Sequence, residues 1–132
     1  MPNEPLILPA LPLPAPGAEV RGAGLVIQNW QATGVAHEVA PLHVHNLDDE
    51  AWHVISGALR FRLADGEFVA SAGSTVLVPA GVAHTFGNAG PEPSRYILIL
   101  PSRLDELISS LHAASPAELA GVYRRYESEL LE

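Results

Sequence analysis

The most informative pattern in the chain is Pro41-Leu42-His43-Val44-His45-Asn46-Leu47-Asp48-Asp49-Glu50-Ala51-Trp52-His53-Val54-Ile55-Ser56-Gly57. In an extended strand, residues two apart point to the same side, so His43 and His45 can direct both imidazole rings at one point. Glu50 follows a short loop that can return it toward that point from the next strand. Two neutral imidazoles and one carboxylate suit Fe(II), and Mn, Co, Ni, Cu or Zn are also chemically possible.

A second stretch reads Gly73-Ser74-Thr75-Val76-Leu77-Val78-Pro79-Ala80-Gly81-Val82-Ala83-His84-Thr85-Phe86-Gly87-Asn88. A strand is expected to end at Pro79, and Ala80-Gly81 is expected to form a turn. His84 then begins the return strand, where it can supply a fourth ligand.

Together the two stretches resemble the two sequence motifs of the cupin superfamily. The positions that match the first motif are His43, His45, Glu50 and Gly57, and those that match the second are Gly73, Pro79, Gly81, His84 and Asn88. The fifteen residues 58–72 match the short inter-motif spacing of small microbial cupins. One position departs from the pattern, because His37 stands where a glycine often precedes the first histidine. This departure concerns the local turn and not the ligands.

The resemblance covers roughly residues 35–101 and implies an all-β fold, a double-stranded β-helix or jelly roll with a metal inside. Cupins use three histidines and the glutamate as ligands, so by matching positions the expected metal ligands are His43, His45, Glu50 and His84. One divalent transition metal per chain is therefore expected, and Fe, Mn, Ni, Co, Cu and Zn all remain possible.

Composition limits the partners of the chain. Its 132 residues fit one domain with a hydrophobic core. The formal net charge of −8 repels nucleic acid and anionic membranes, and the absence of cysteine excludes disulfides and thiolate ligands. No stretch is long and apolar enough to span a bilayer, and the proline-rich N-terminus does not resemble a signal peptide. A cytoplasmic protein that binds no nucleic acid and no membrane is expected.

Three segments are distinguished along the chain. Residues 1–24 are expected to form an extended proline-rich arm, because proline cannot donate to a central strand. Its leucines need burial against the chain's own sheet or a partner subunit, and a loosely ordered tail is the alternative. Residues 25–101 form the barrel, and residues 102–132 form two helices that pack on it. We expect a homodimer, paired through sheet edges or through the arm, since pairing also covers edge strands.

Short β-type runs separated by turn residues fill the middle segment. The predicted strands are Leu25–Gln31, Val35–Val39, Leu42–Val44, Ala51–Ser56, Ala58–Leu63, Phe68–Ser71, Thr75–Val78, Ala83–Phe86 and Arg95–Leu100. A hairpin is expected around Asp65-Gly66, a dipeptide that tolerates positive φ. It should place Leu59, Phe61 and Leu63 on one face.

A helical period follows Pro101. Leu104, Leu107, Ile108 and Leu111 form one apolar stripe. A second helix is expected to begin at Ser115, where Ser115-Pro116-Ala117-Glu118 has the pattern of a capping box. Its apolar positions are Leu119, Val122, Tyr123, Tyr126 and Leu130.

Other residues allow more than one interpretation. Trp52 shares strand parity with Glu50, and Phe86 shares it with His84, so both are substrate-binding candidates as walls of a pocket beside the metal; ordinary core packing is an equal alternative. His53 faces the opposite side and is expected to serve packing or an interface. Arg60 and Arg62 can hold an anionic ligand, but pairing with acidic neighbours at the surface is favoured.

Two classes of function fit these residues. In the first, the chain is an enzyme on a small organic substrate, and Glu50 acts as ligand and proton acceptor. Resemblance to quercetinase-like small cupins implies dioxygenase chemistry on enol-type substrates, and a cupin-type isomerase is an alternative. In the second, the chain is a non-catalytic module in which the metal anchors a small ligand or braces the barrel, since fold alone does not fix function.

Overall fold

Two antiparallel sheets form the body of the protein. The computed structural model describes residues 4–35 and 38–132. The strands are β1 (Glu19–Arg21), β2 (Leu25–Ala32), β3 (His43–His45), β4 (Glu50–Ser56), β5 (Ala58–Leu63), β6 (Gly66–Ser71), β7 (Thr75–Val78), β8 (His84–Asn88), β9 (Ser94–Pro101) and β10 (Ser128–Leu130). One sheet has the order β1-β2-β9-β4-β7 and the other β10-β3-β8-β5-β6. The all-β fold class expected from the sequence is confirmed.

The core lies between the two sheets because their strands alternate inward apolar and outward residues. Strand β9 shows this alternation over its whole length, with Tyr96, Leu98 and Leu100 buried and their neighbours half-buried. Trp52 and Phe61 are completely buried and meet edge to face, with ring centroids 5.1 Å apart. This aromatic layer forms the floor beneath the polar cluster described below.

Most predicted strands form within two residues of their predicted ends. The segment Val35–Val39 is different. Glu38 makes an isolated bridge to Gly87, and within the described part of the chain it does not belong to any named strand. Ala36 and His37 lie outside the described part. The departure from the family motif at His37 therefore falls on a residue that the structure does not describe.

The predicted hairpin of β5 and β6 forms, and Leu59 and Phe61 are completely buried. Its turn lies one residue earlier than expected, at Ala64-Asp65, with Gly66 already paired to Leu63. None of these turn residues has a positive φ, so the reason given for Asp65-Gly66 was wrong.

Gly57, between β4 and β5, requires the absence of a side chain. Its φ is +75°, in the left-handed region. A Cβ atom at this position would lie 2.8 Å from the carbonyl oxygen of Pro93 and against the hydroxyl of Ser94. The Ser94 hydroxyl donates to the carbonyl of Ala58 and also contacts the side chain of Asn88. Two residues of the sequence motifs, Gly57 and Asn88, thus brace one corner of the barrel.

Two helices follow the last strand of the barrel. Helix α1 (Ser102–Ala113) buries Leu104 and Leu107, as the apolar stripe predicts. A single 3₁₀ turn, Pro116–Glu118, precedes helix α2 (Leu119–Arg125). The carboxylate of Glu118 accepts a hydrogen bond from the Ser115 amide over 2.8 Å, as expected of a capping box.

The helical interpretation of Leu130 was wrong. Helix α2 ends at Arg125, and Glu127 then adopts a φ of +50°, which reverses the chain. Residues Ser128–Leu130 form strand β10, which pairs with β3. Its strand hydrogen bonds outweigh a helical pattern of only a few apolar residues.

The segment expected to be an extended arm contributes strand β1 at the edge of its sheet, paired with β2. Four apolar side chains nearer the N-terminus are exposed by 61–78%, namely Leu6, Ile7, Leu11 and Leu13, whereas Leu8 is half-buried. No helix in the described ranges is long and apolar enough to cross a bilayer.

The two arginines of β5, Arg60 and Arg62, pair with acidic residues at the surface, as predicted. Arg60 pairs with Glu67, and Arg62 pairs with Glu38 and with Glu132 near the C-terminus. All these pairs are partly exposed.

Candidate metal centre and cavity

The four side chains predicted to be metal ligands come together inside the barrel. His43 and His45 lie on β3, Glu50 begins β4 of the other sheet, and His84 begins β8 directly opposite His43. All four are buried. One donor atom from each lies within 4.8 Å of the others, so the group could hold a single metal ion.

Backbone contacts fix the two motifs against each other. The Gly81 amide donates to the carbonyl of His45 over 2.8 Å. The Ala80 amide donates to the carboxylate of Asp49 over 2.9 Å. The turn before His84 is therefore attached to the loop between His45 and Glu50, which explains how residues far apart in sequence share one point.

Second partners orient the imidazole rings. Nδ1 of His43 lies 2.8 Å from the carbonyl oxygen of Pro41, and Nδ1 of His84 lies 2.9 Å from that of Val82. A carbonyl oxygen can only accept, so each Nδ1 carries a proton, and in the neutral ring Nε2 then presents a lone pair. This is the tautomer that a metal ligand needs.

Ser128 completes the set from strand β10. Its hydroxyl lies 2.7 Å from Nδ1 of His45 and donates to the carbonyl of Tyr126 over 3.2 Å. Because its one proton serves Tyr126, the hydroxyl accepts from the His45 ring. Ser128 is 1% exposed. No local pattern predicts this contact, since Ser128 is 83 positions from His45 and was expected in a helix.

Burial and neighbouring side chains set the protonation of two residues at the centre. Burial by itself raises the pKa of Glu50, but the rings of His45 and His84 outweigh burial and lower it to about 2. Burial, aided by the His84 ring, lowers the pKa of His43 to about 4. At neutral pH the cluster thus contains a carboxylate and a neutral His43 imidazole.

The spacing of the donor atoms agrees with a metal ion. Oε1 of Glu50 lies 3.3 Å from Nε2 of His84 and 3.5 Å from Nε2 of His45. When the rings are neutral with their protons on Nδ1, these three atoms all carry lone pairs, and a positive ion between them would stabilise the arrangement. Two ligands about 2.1 Å from one ion lie roughly 3.0–3.4 Å apart for octahedral or tetrahedral angles. The residues therefore fit a divalent transition metal.

A cavity of about 370 Å³ opens beside the cluster. Its walls come from both sheets and from the two helices, and they are mainly apolar and aromatic. Trp52 and Phe86, the two predicted pocket residues, both line it. Trp52 is also completely buried, so the same side chain packs in the core and borders the cavity.

The described lining of the cavity contains histidines but neither arginine nor lysine. None of the seven arginines borders it, although all lie in the described part of the chain, and the sequence contains no lysine. Tyr96 and Tyr123 are lining residues that were not predicted as site residues. Burial, with the nearby Glu50 carboxylate, raises the pKa of both phenols, which are therefore protonated at neutral pH.

Comparison with known proteins gives one family and a set of similar folds. The family described as "Cupin domain" matches residues 33–100. No curated protein sequence matches the chain. A Klebsiella pneumoniae protein with a double-stranded β-helix domain is 28% identical, over 67% of this chain and 80% of that chain, with a TM-score of 0.53.

Two further solved structures are similar. A cupin protein from Bacteroides fragilis is 17% identical, over 76% of this chain and 86% of that chain, with a TM-score of 0.60. A sugar phosphate isomerase from Silicibacter pomeroyi, of a cupin superfamily, is 22% identical, over 60% of this chain and 51% of that chain, with a TM-score of 0.54. These likenesses confirm the double-stranded β-helix expected from the sequence.

Proposed function

The chain belongs to the cupin family, and from that premise we propose that it is a metal-dependent enzyme that acts on a small, largely apolar organic molecule by dioxygenase-type chemistry. The observation that carries the proposal is the juxtaposition of three imidazoles and one carboxylate with a mainly apolar cavity. His43, His45, Glu50 and His84 are the proposed ligands. A quercetinase-like preference for enol-type substrates is part of the proposal.

Residues of the chain divide the work around the substrate. A divalent transition metal at the cluster, when bound, supplies Lewis acidity and the capacity to react an organic substrate with O₂. Glu50 is ionised and is the carboxylate nearest the cavity, so it can accept the proton of an enol hydroxyl. Trp52 and Phe86 form an apolar wall that limits access of water.

The cavity argues against a sugar phosphate as substrate, although one similar structure is named a sugar phosphate isomerase. A phosphate dianion is usually held by arginine, lysine or helix N-termini. No arginine borders the cavity in the described residues, and the ionised Glu50 faces it. An uncharged or singly charged ligand suits this lining better.

Oxygen uptake tests the proposal. The purified protein, loaded anaerobically in separate samples with Fe(II), Mn(II), Co(II) or Ni(II), is mixed with quercetin, 3-hydroxyflavone or acetylacetone and then exposed to O₂. At least one combination is expected to consume O₂ in proportion to the substrate lost. The His84→Ala variant serves as the metal-deficient control. Ligand binding by thermal shift without O₂ consumption for any combination would instead support a non-catalytic binding module.

The proposal includes a homodimer, because one row of residues across the outer face of one sheet is apolar. Five outward residues, one from each strand, lie in register as a row across that sheet. They are Val20, Ile27, Ile99, Ala51 and Leu77. The first four are half-buried, and Leu77 is 63% exposed. A second copy of the chain, related by a two-fold axis, would cover this row on both subunits.

A further inference from the structure

Two tyrosine hydroxyls at the cavity have no partner in the protein. Tyr96 lies on β9 and Tyr123 on α2, and both line the cavity. The two residues are 5% and 3% exposed. Within the described ranges, neither phenolic oxygen makes a hydrogen bond to another residue. Buried hydroxyls without a partner are uncommon, because the loss of water costs free energy that a new hydrogen bond normally offsets.

The other polar side chains of the lining are hydrogen-bonded within the protein, enclosed by the core or exposed to solvent. Gln28 donates to Glu19 and Asp105 and accepts from the indole of Trp30. The indole N–H of Trp52 has no partner either, but it is enclosed by the core, whereas the tyrosine hydroxyls are not among the fully enclosed atoms. Gln31 and His112 are exposed to solvent. The two phenols are thus the buried polar groups, apart from the metal cluster, that remain available to a ligand.

Their rings are fixed by packing, so the hydroxyls have defined positions. The ring of Tyr96 meets Phe86 edge to face, with centroids 5.5 Å apart. The ring of Tyr123 lies 5.5 Å from that of His43. One tyrosine comes from a sheet and the other from the helical segment, so two different elements of the fold line the same cavity with a phenol side chain.

We propose that Tyr96 and Tyr123 donate hydrogen bonds to an oxygen group of the ligand that lies away from the metal. This inference rests on the proposed function and narrows it to a class of ligand. The molecule is compact and mainly apolar, carries one oxygen group that reaches the metal, and carries a second, uncharged acceptor that meets the phenols. A phosphate or a second carboxylate would be poorly held, because two neutral hydroxyls do not balance its charge.

A pair of catechols tests the assignment, because both have a metal-binding enediol and only one has a remote acceptor. Protein loaded with Co(II) is titrated anaerobically with catechol and with 4-nitrocatechol, and the dissociation constants are measured by calorimetry and by the visible spectrum of 4-nitrocatechol. The variants are Tyr96→Phe and Tyr123→Phe, which retain the ring. Tyr126→Phe is the matched control, since Tyr126 packs against the core but does not line the cavity.

Each cavity variant is expected to raise the dissociation constant of 4-nitrocatechol by about three- to tenfold, the effect of one lost hydrogen bond. The dissociation constant of catechol should rise by less than about twofold. The control should change neither, and the cobalt content should be equal in all proteins. Unchanged 4-nitrocatechol affinity in both cavity variants would overturn the tyrosine assignment and leave the proposed function standing. Failure of either catechol to bind the cobalt-loaded wild type would overturn both. Thermal melting of each variant verifies its fold, and each tyrosine is judged by its own variant.

Discussion

At the scale of single residues, the candidate metal centre depends on which nitrogen of each ring carries the proton. Three acceptors set this state, the carbonyl oxygens of Pro41 and Val82 and the hydroxyl of Ser128. Two of them belong to the backbone and cannot be removed by substitution. Ser128 is the member of the set that mutation can test.

Replacement of Ser128 by alanine is expected to weaken metal binding about 10- to 100-fold, as losses of partners to ligating histidines do. The His45 ring would lose its acceptor and with it the preference for the required tautomer. Competition with a chromophoric chelator at pH 7 measures the change. Ser71→Ala, at an exposed serine on β6, is the control and should have no effect. Equal affinities of the two variants would contradict the role of Ser128.

Replacement of a proposed ligand is expected to remove the metal and not the fold. His45→Ala and His84→Ala should each abolish stoichiometric metal in elemental analysis, while far-ultraviolet circular dichroism keeps its β-sheet signal. His53 provides the comparison, because it lies on the same strand as Glu50 but faces outward and bonds to Thr75. His53→Ala should retain full metal content. Unchanged metal in His84→Ala would remove the assignment.

At the scale of strands and turns, the motif glycine at position 57 is expected to tolerate no side chain. Gly57→Ala should lower the free energy of unfolding by about 2 to 4 kcal/mol, since it combines an unfavourable positive φ with overpacking against Pro93 and Ser94. Urea denaturation measures this loss. Gly66→Ala is the control, because a Cβ there meets no atom within 4 Å and φ is not positive. Its effect should stay below about 1 kcal/mol.

The sequence predicted elements well where a pattern repeats over many residues. Strands β5 and β7 have the predicted ends, and helix α1 follows its leucine stripe. The short strands β1 and β10 were not predicted, because three residues are too few to show an alternation and each depends on pairing with a distant strand.

Site residues, like strands, were predictable from the sequence only where a local pattern contains them. The four proposed ligands fall within two local motifs and could be found from spacing. Ser128 and Tyr123 reach the centre and the cavity through the fold of the C-terminal segment, and no local spacing relates them to His45 or His43.

Across the folded chain, burial of His43 makes the stability of the metal-free protein depend on pH. The pKa of His43 falls from 6.5 to about 4 on folding, so the unfolded chain binds the proton more readily. The free energy of unfolding should therefore have its full value above pH 6.5 and decline as the pH falls toward 4. The contribution of His43 to this decline is about 3 kcal/mol. Urea titrations of the metal-free protein at several pH values measure the decline. His43→Asn should flatten it, and His112→Gln, at an exposed ring, should not.

The apolar outer face predicts the mass of the protein in solution. Light scattering should give twice the 14.0 kDa of one chain. Leu77→Asp should shift the mass toward the monomer, because the charge would be buried against the partner without a counter-ion. Val69→Asp is the matched control, since Val69 is 60% exposed and pairs with Arg60 in the other sheet. A monomeric wild type would refute the dimer, and a dimer retained by Leu77→Asp but lost by Val69→Asp would move the interface to the other sheet.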